Sequence, residues 1–112
     1  MAKMIGQFDL KEGETVKAYK KSFDDFCEYL KEQNLLQSWG VYERAPHDGY
    51  DTNPPHQTLM IEMGFINLKQ SQSCWDYIEA CESKNTEPLC MLHRSMNSKV
   101  TDTVFILYRA CE

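Results

Sequence analysis

The sequence from residue 57 to residue 66 reads Gln57-Thr58-Leu59-Met60-Ile61-Glu62-Met63-Gly64-Phe65-Ile66. Its strongly apolar side chains recur at every second position, and this spacing predicts a β-strand with one apolar face. The opposite face is mixed in character, which is typical of a strand that helices cover on one side only. We therefore expect a sheet whose second face has a partner.

Length and composition predict one soluble globular domain covering residues 1–112. The chain is 42% hydrophobic and 26% charged, which is ordinary for a folded domain. No apolar run approaches the roughly 20 residues that span a bilayer, and Ala2–Leu10 is too short and too polar for a secretory signal. These features predict a cytoplasmic protein with no membrane partner.

The charge pattern argues against nucleic acid as a partner. The net charge is -5, and the lysines between residues 17 and 31 are interleaved with acidic residues, so no basic stripe exists. The five cysteines include no Cys-x-x-Cys pair. We interpret them as reduced thiols that pack in the core.

The first half of the chain predicts a strand, a helix and a second strand. Lys3–Leu10 alternates as a strand, in which Gly6 marks a bulge or a close approach by another group. A helix begins near Glu14 and Thr15 and ends at Asn34 in a left-handed conformation. Its buried positions recur at helical spacing: Val16, Tyr19, Phe23, Phe26, Cys27 and Leu30. The second strand is Leu35–Arg44.

The second half predicts a long loop, two helices and a last strand. Ala45–His56 is rich in Pro, Gly, Asp and Asn, and a connection of this length is more often functional than idle. Several capping groups for helix two lie between Asn67 and Ser73, of which Ser73 with Asp76 has capping-box spacing. That helix is expected to bury Cys74, Trp75, Ile78 and Cys81 and to point Asp76, Glu79 and Glu82 outward.

A short third helix and a strand complete the chain. Thr86-Glu87-Pro88 starts the helix, with Pro88 in its first turn. Its inward face, extending to Met96, comprises Leu89, Leu92, His93 and Met96. The last strand is Thr103–Cys111, in which Val104, Ile106 and Tyr108 alternate with Phe105, Leu107 and Arg109.

This order of elements predicts an α+β fold of the ferredoxin-like type, βαββα(α)β, with an antiparallel sheet in the order 4-1-3-2. Both main helices cover one face. The bare face carries Phe105 and Leu107 or their alternates, and a single subunit would expose an apolar patch of several hundred Å2. We therefore expect a homodimer that forms through the sheets.

The element order, the length and the extra helix resemble the dimeric alpha+beta barrel superfamily. The resemblance implies two sheets that face each other as a barrel, with a ligand pocket between each sheet and its own helices. Members include cofactor-free monooxygenases of the antibiotic-biosynthesis type, heme-degrading monooxygenases, polyketide cyclases and isomerases. The heme-degrading branch uses an Asn, a Trp and a His, for which the nearest positions here are Gln7, Trp75 and His93. Only the His matches, so we expect no cofactor, with heme as the alternative.

His93 is the best candidate for chemistry, because an imidazole among apolar side chains can act as a general base near pH 7. The alternative is a core or interface histidine satisfied by one hydrogen bond. In the catalytic hypothesis, Tyr42 or Tyr108 stabilises the oxyanion.

Aromatic, aliphatic and methionine side chains are expected to line the ligand pocket, although ordinary core packing explains each one equally well. Arg109 is placed with Glu62 on the mixed face and is a candidate partner for a ligand carboxylate. The complete expected set is Trp39, Tyr42, Ile61, Met63, Trp75, Ile78, Leu89, His93 and Arg109.

The loop Ala45–His56 also contains groups that can bind metals, namely His47, Asp48, Asp51 and His56. Their spacing fits no standard zinc pattern, so we predict no metal and a surface lid.

Three functional hypotheses remain open. The first is a homodimeric binder of a small apolar, carboxylate-bearing ligand, fatty-acid-like or aromatic, held under the loop. The second is a cofactor-free monooxygenase, cyclase or isomerase with His93 as the general base. The third is a purely structural dimer, which predicts no cavity.

Overall fold

The fold has the predicted order of elements and the predicted sheet. The computed structural model describes residues 1–84 and 88–111. Its four-stranded antiparallel sheet has the order β2-β3-β1-β4, which is the order 4-1-3-2 written from the other edge. The elements are β1 Ala2–Leu10, α1 Val16–Glu32, β2 Ser38–Glu43, β3 Leu59–Phe65, α2 Leu68–Lys84, α3 Leu89–Asn97 and β4 Val100–Arg109. No helix in the described ranges is long and apolar enough to cross a membrane.

Helix α1 forms as its sequence predicts. The side chain of Thr15 caps it by accepting a hydrogen bond from the backbone N–H of Ala18 at 3.1 Å, which satisfies one of the unpaired amides of the first turn. Asn34 follows the helix with a φ of 59°, the left-handed conformation that Asn tolerates. The helix buries Tyr19, Phe23, Phe26, Cys27 and Leu30.

The apolar face of β3 lies against the helices. Leu59, Ile61, Met63 and Phe65 are each less than 5% exposed. Strand β1 runs antiparallel beside β3, and the register pairs Phe8 with Leu59. Because paired residues share a face, the even-numbered residues of β1 complete this side of the sheet, and the core lies between it and the helices.

Strand β4 starts earlier than predicted, at Val100, and its register decides which set of side chains faces the helices. Its residue Phe105 pairs with Gly6, so Phe105, Leu107 and Arg109 lie on the helix side. The open face carries the alternate set of Val104, Ile106 and Tyr108. The placement of Arg109 on the same face as Glu62 is therefore wrong, because alternation alone gives the two sets of a strand but not their direction.

The first of the capping groups offered by residues 67–73 starts α2. The Oδ1 atom of Asn67 accepts a hydrogen bond from the N–H of Gln70 at 2.9 Å, and the helix begins at Leu68. The proposed capping pair, Ser73 with Asp76, lies inside the helix. The buried stripe runs through Ser71, Cys74, Ile78 and Cys81, and Trp75 lies beside this stripe with 54% of its surface exposed.

Candidate functional site

A cavity of about 460 Å3 lies between the helix side of the sheet and the helices α2 and α3. Most of its wall is apolar. The sheet contributes Met4, Ile61, Met63, Phe65, Phe105 and Leu107. The helices contribute Phe26, Ser71, Gln72, Cys74, Trp75, Ile78, His93, Met96 and Asn97. A site of this size and composition suits a small organic molecule.

His93 is the titratable group in this wall that is best placed for chemistry. Its Nδ1 atom lies 2.9 Å from Oε1 of Glu82 on α2, and its ring stacks on Phe26 with 5.4 Å between the ring centroids. The side chain of His93 is 19% exposed. Two elements besides α3 therefore fix the position and the plane of the imidazole.

The second ring nitrogen of His93 contacts Asn97, one turn further along α3. The Nε2 atom lies 3.0 Å from Nδ2 of Asn97. When the amide donates to Nε2, the ring proton is on Nδ1 and is donated to Glu82, so both contacts are satisfied by one neutral tautomer. The hydrogen bond from His93 holds the pKa of Glu82 below its usual 4.5.

This arrangement can take up a proton at Nε2 when the amide of Asn97 moves off that nitrogen, because the single lone pair of Nε2 accepts the Asn97 hydrogen bond. The carboxylate of Glu82 orients the ring and stabilises the imidazolium that forms. Asn97 can then offer its amide N–H to a neighbouring oxygen that becomes negative. Cys74 adds no nucleophile, because burial raises the pKa of its thiol to about 12.

Five residues of the expected set come together in this cavity: Ile61, Met63, Trp75, Ile78 and His93. Trp75, expected to be buried, instead lines the wall with a half-exposed indole.

Four others lie elsewhere. Leu89 is buried in the core and is not part of the wall. Trp39 packs on the helix side of β2, where its Nε1 donates a hydrogen bond to Asp24 at 3.0 Å. Tyr42 lies on the open face, since its neighbour across the strand pair is Met60. Arg109 is exposed on β4 opposite Ala2.

Tyr108 also lies on the open face, where it pairs with Lys3 and is 52% exposed. Neither Tyr42 nor Tyr108 reaches His93 through the sheet. The structure therefore does not bring either tyrosine to the side of the sheet where His93 lies, and the polar side chain next to the imidazole is Asn97.

Sequence reasoning missed Glu82 and Asn97. The spacing of four residues between His93 and Asn97 on one helix was a usable signal, because such side chains are neighbours. Glu82 was expected to point outward, and nothing in the local sequence links it to a histidine eleven residues away.

The three positions compared with heme-degrading enzymes do not converge. Gln7 pairs with Met60 and Val104 on the open face, whereas Trp75 and His93 line the cavity on the other side of the sheet. These residues do not fit a heme site.

The loop 45–56 does not cover the cavity. It lines a separate cleft of about 710 Å3 near the opposite end of β1, where Arg44 forms a two-pronged ion pair with Asp51 at 2.7 and 2.8 Å. The four metal-capable groups of the loop do not converge on one another. His47 accepts hydrogen bonds from the backbone of its own turn. His56 instead lies 2.9 Å from Asp9 and 3.7 Å from Asp102, and the potential ligand atoms of these three residues lie within 4.8 Å of one another.

The sequence matches a family model over residues 1–111, described as a family of unknown function, DUF6614. The chain belongs to this family. No protein of curated function matches the sequence.

Solved structures share the fold at low sequence identity. The Arabidopsis thaliana protein At3g17210 aligns with a TM-score of 0.71 at 7% identity, over 100% of this chain and 97% of that chain. SnoaB, a cofactor-independent oxygenase from Streptomyces nogalater, aligns with a TM-score of 0.63 at 5% identity, over 99% and 93%. A dimeric protein of unknown function from Bacteroides fragilis with a ferredoxin-like fold aligns with a TM-score of 0.53 at 12% identity, over 97% and 95%. The ferredoxin-like fold that the sequence predicts is confirmed.

Proposed function

We propose that this protein is a homodimeric, cofactor-independent enzyme that binds a small, mostly apolar molecule in the 460 Å3 cavity and removes a proton from it. His93 is the general base. The observation that carries the proposal is the pair of contacts that fixes His93 in the wall of an apolar cavity, with Glu82 on Nδ1 and Asn97 on Nε2.

The lining favours a neutral ligand with a weakly acidic O–H or C–H group. Among the described residues of the wall there is no Lys and no Arg, and Arg109 lies outside it. A carboxylate in this cavity would lack a permanent cationic partner, which is unfavourable for a desolvated charge. A neutral phenol or ketone instead loses its proton only next to His93.

The likeness to SnoaB supports oxygenation as the second step. The substrate carbanion that remains after His93 removes the proton can transfer electrons directly to O2. In that case an activated CH2 group is oxidised to a carbonyl. One atom of O2 becomes the carbonyl oxygen, the other is released as water, and the substrate supplies all four electrons.

The open face of the sheet supports the dimer. Val104, Ile106 and Tyr108 are 41–52% exposed side by side on β4, and Tyr42 adds a 49% exposed ring on β2. A second copy of the sheet would cover this surface, as sheets do when they pack face to face. The dimeric relative from Bacteroides fragilis supports the same assembly.

Proton abstraction can be tested without the natural substrate. 2-Tetralone is a flat, neutral carbon acid, and its exchange of C–H for C–D in D2O is followed by NMR. We expect the protein to accelerate this exchange and His93→Ala to lower the rate by about 10²-fold or more. Glu82→Gln should retain binding and change the pH profile of the exchange, because the ring loses its carboxylate partner.

The matched control is Trp39→Phe, which alters an aromatic residue on the same side of the sheet outside the cavity. It should leave the exchange rate unchanged. If wild type binds 2-tetralone but exchanges it no faster than His93→Ala does, the protein is a binder and not this enzyme. If no binding is detected at millimolar ketone, the proposal is wrong. Oxygen consumption with activated methylene compounds tests the second step.

A further inference from the structure

Gly6, at the centre of β1, lies beneath the ring of Phe105. A Cβ atom at this position would lie 2.7 Å from Cε1 and 2.8 Å from Cδ1 of Phe105, and 2.9 Å from Cγ1 of Ile61. A side chain at residue 6 would therefore have to displace the ring of Phe105 and the side chain of Ile61, and glycine permits the close approach of the ring. Phe105 therefore occupies the space that the side chain of residue 6 would fill.

The ring of Phe105 also ends the cavity on this side. Phe105, Met4 and Ile61 line the cavity, whereas Gly6, which lies among them on the same face, does not. The helices leave the ring 52% exposed. The ring of Phe105 therefore covers the backbone at Gly6 but is not held in place by the core. Removal of the ring would expose the backbone at Gly6 to the cavity.

We propose that Phe105, lying across Gly6, sets the length of ligand that the cavity accepts. This inference rests on the proposed function only in that the cavity binds a ligand. The ligand class is a weakly acidic head group next to His93 with an apolar extension along β1. Beyond Gly6, the buried ring of Phe8 packs on Tyr19 with 4.9 Å between the centroids, which limits any extension.

The test is a series of 4-alkylphenols with alkyl chains from ethyl to nonyl, titrated by calorimetry. In wild type the affinity should rise by about fourfold for each methylene buried and then stop rising at a limiting length. In Phe105→Ala the limit should move to chains longer by roughly two to three methylenes, since the volume of one ring becomes available. The position of the limit is the readout, because lost contacts with Phe105 lower the affinity for all chains alike.

A second variant shifts the limit in the opposite direction. Gly6→Ala places a methyl group on the cavity floor and displaces Phe105, so the limit should move to shorter chains. If this variant folds poorly, Gly6→Ala can be made in the Phe105→Ala background, where the clash with the ring is absent. The limiting chain length of this double variant should be shorter than that of Phe105→Ala alone.

The matched control is Val104→Ala on the same strand, because its side chain lies on the other face of the sheet. Its limit should equal that of wild type. An unchanged limit in Phe105→Ala would overturn the inference while leaving the proposed function intact. No binding of any alkylphenol by wild type would overturn the inference. If wild type still accelerates the exchange of 2-tetralone, the proposed function stands, and if it does not, both are overturned.

Discussion

The two faces of the sheet differ in burial at its centre, whereas on the edge strand β4 both faces are about half exposed, with Phe105 and Leu107 at 52% and 49%. On the helix side, Ile61 and Met63 of β3 are 2% and 4% exposed, whereas on the open side Tyr42 and Ile106 are 49% and 45% exposed. Along each strand the two sets of side chains alternate residue by residue. The helix side forms the core and the cavity, and the open side exposes apolar side chains of β4 and β2. Alternation along the strands thus separates the residues that line the cavity from the residues of the open face.

The open face is not uniformly apolar. On the side of β3, Lys3 and Glu62 form an ion pair of 2.7 Å, and Ser38, Gly40 and Gly64 add small residues. Large apolar side chains are concentrated on the β4 side. This asymmetry would orient a second sheet, because ion pairs and apolar side chains disfavour each other across an interface.

The largest predicted contrast is in stability. Phe8→Ala removes a fully buried ring on the helix side and should lower the free energy of unfolding by about 3–5 kcal/mol. Tyr42→Ala on the open side should change the stability of a single subunit by less than about 1 kcal/mol. Urea denaturation at matched low protein concentration measures both, and equal losses would contradict the difference between the faces.

The next effect concerns assembly. Ile106→Asp should raise the dissociation constant of the dimer by about 10²-fold or more, because each copy loses apolar burial and brings a carboxylate to the interface. Leu107→Asp is the matched control on the next residue, which faces the cavity, and it should remain dimeric. Light scattering at micromolar concentration distinguishes them. A dimer that persists in Ile106→Asp, or a wild type that is monomeric, would show that the sheets do not meet.

A smaller effect is expected at Trp39. Trp39→Phe keeps an aromatic ring against α1 but removes the N–H that donates to Asp24, and should destabilise the fold by about 0.5–1.5 kcal/mol. Asp24→Asn retains an acceptor oxygen and serves as the comparison. A loss as large as that for Phe8→Ala would mean that the indole has another buried role.

The smallest effect is the pH dependence from Glu82. Its pKa in the folded protein is lowered by the hydrogen bond from His93, so its contribution to stability is present above pH 4.5 and is lost as the pH falls through the lower folded value. The unfolding free energy should therefore decrease below about pH 4.5 more steeply in wild type than in Glu82→Gln. Identical slopes between pH 3 and 5 would contradict the contact.

Local patterns in the sequence were sufficient for the elements and the topology. The period of two in residues 59–65 and the helical spacing of α1 each correspond to burial against the same core, and Asn34 ends α1 as expected. The patterns did not predict the features that depend on pairing between strands distant in sequence. The direction of Phe105 and Arg109 depends on the register between β1 and β4, which alternation cannot give.

The candidate site was predictable only in part. His93 was identified because it lies among apolar residues on α3. Its partner Glu82 lies on another helix, and that contact depends on how α2 and α3 pack. Trp75 was misjudged because it lies at the edge of the buried stripe of Cys74, Ile78 and Cys81, and helical spacing alone does not decide whether a residue at that edge is covered.

The most direct test of the account labels the methyl groups of the six methionines with 13C and follows them by NMR. Met4, Met63 and Met96 line the cavity, Met60 lies on the open face, and Met91 is an exposed reference. Titration with 2-tetralone should shift the three cavity signals and leave Met60 and Met91 in place, whereas dilution through the dimer dissociation constant should shift Met60 alone. The account would be contradicted if the ketone shifted the signal of Met60, or if the cavity signals shifted only on dilution. Either result would mean that the ligand and the second copy do not bind to opposite faces of the sheet.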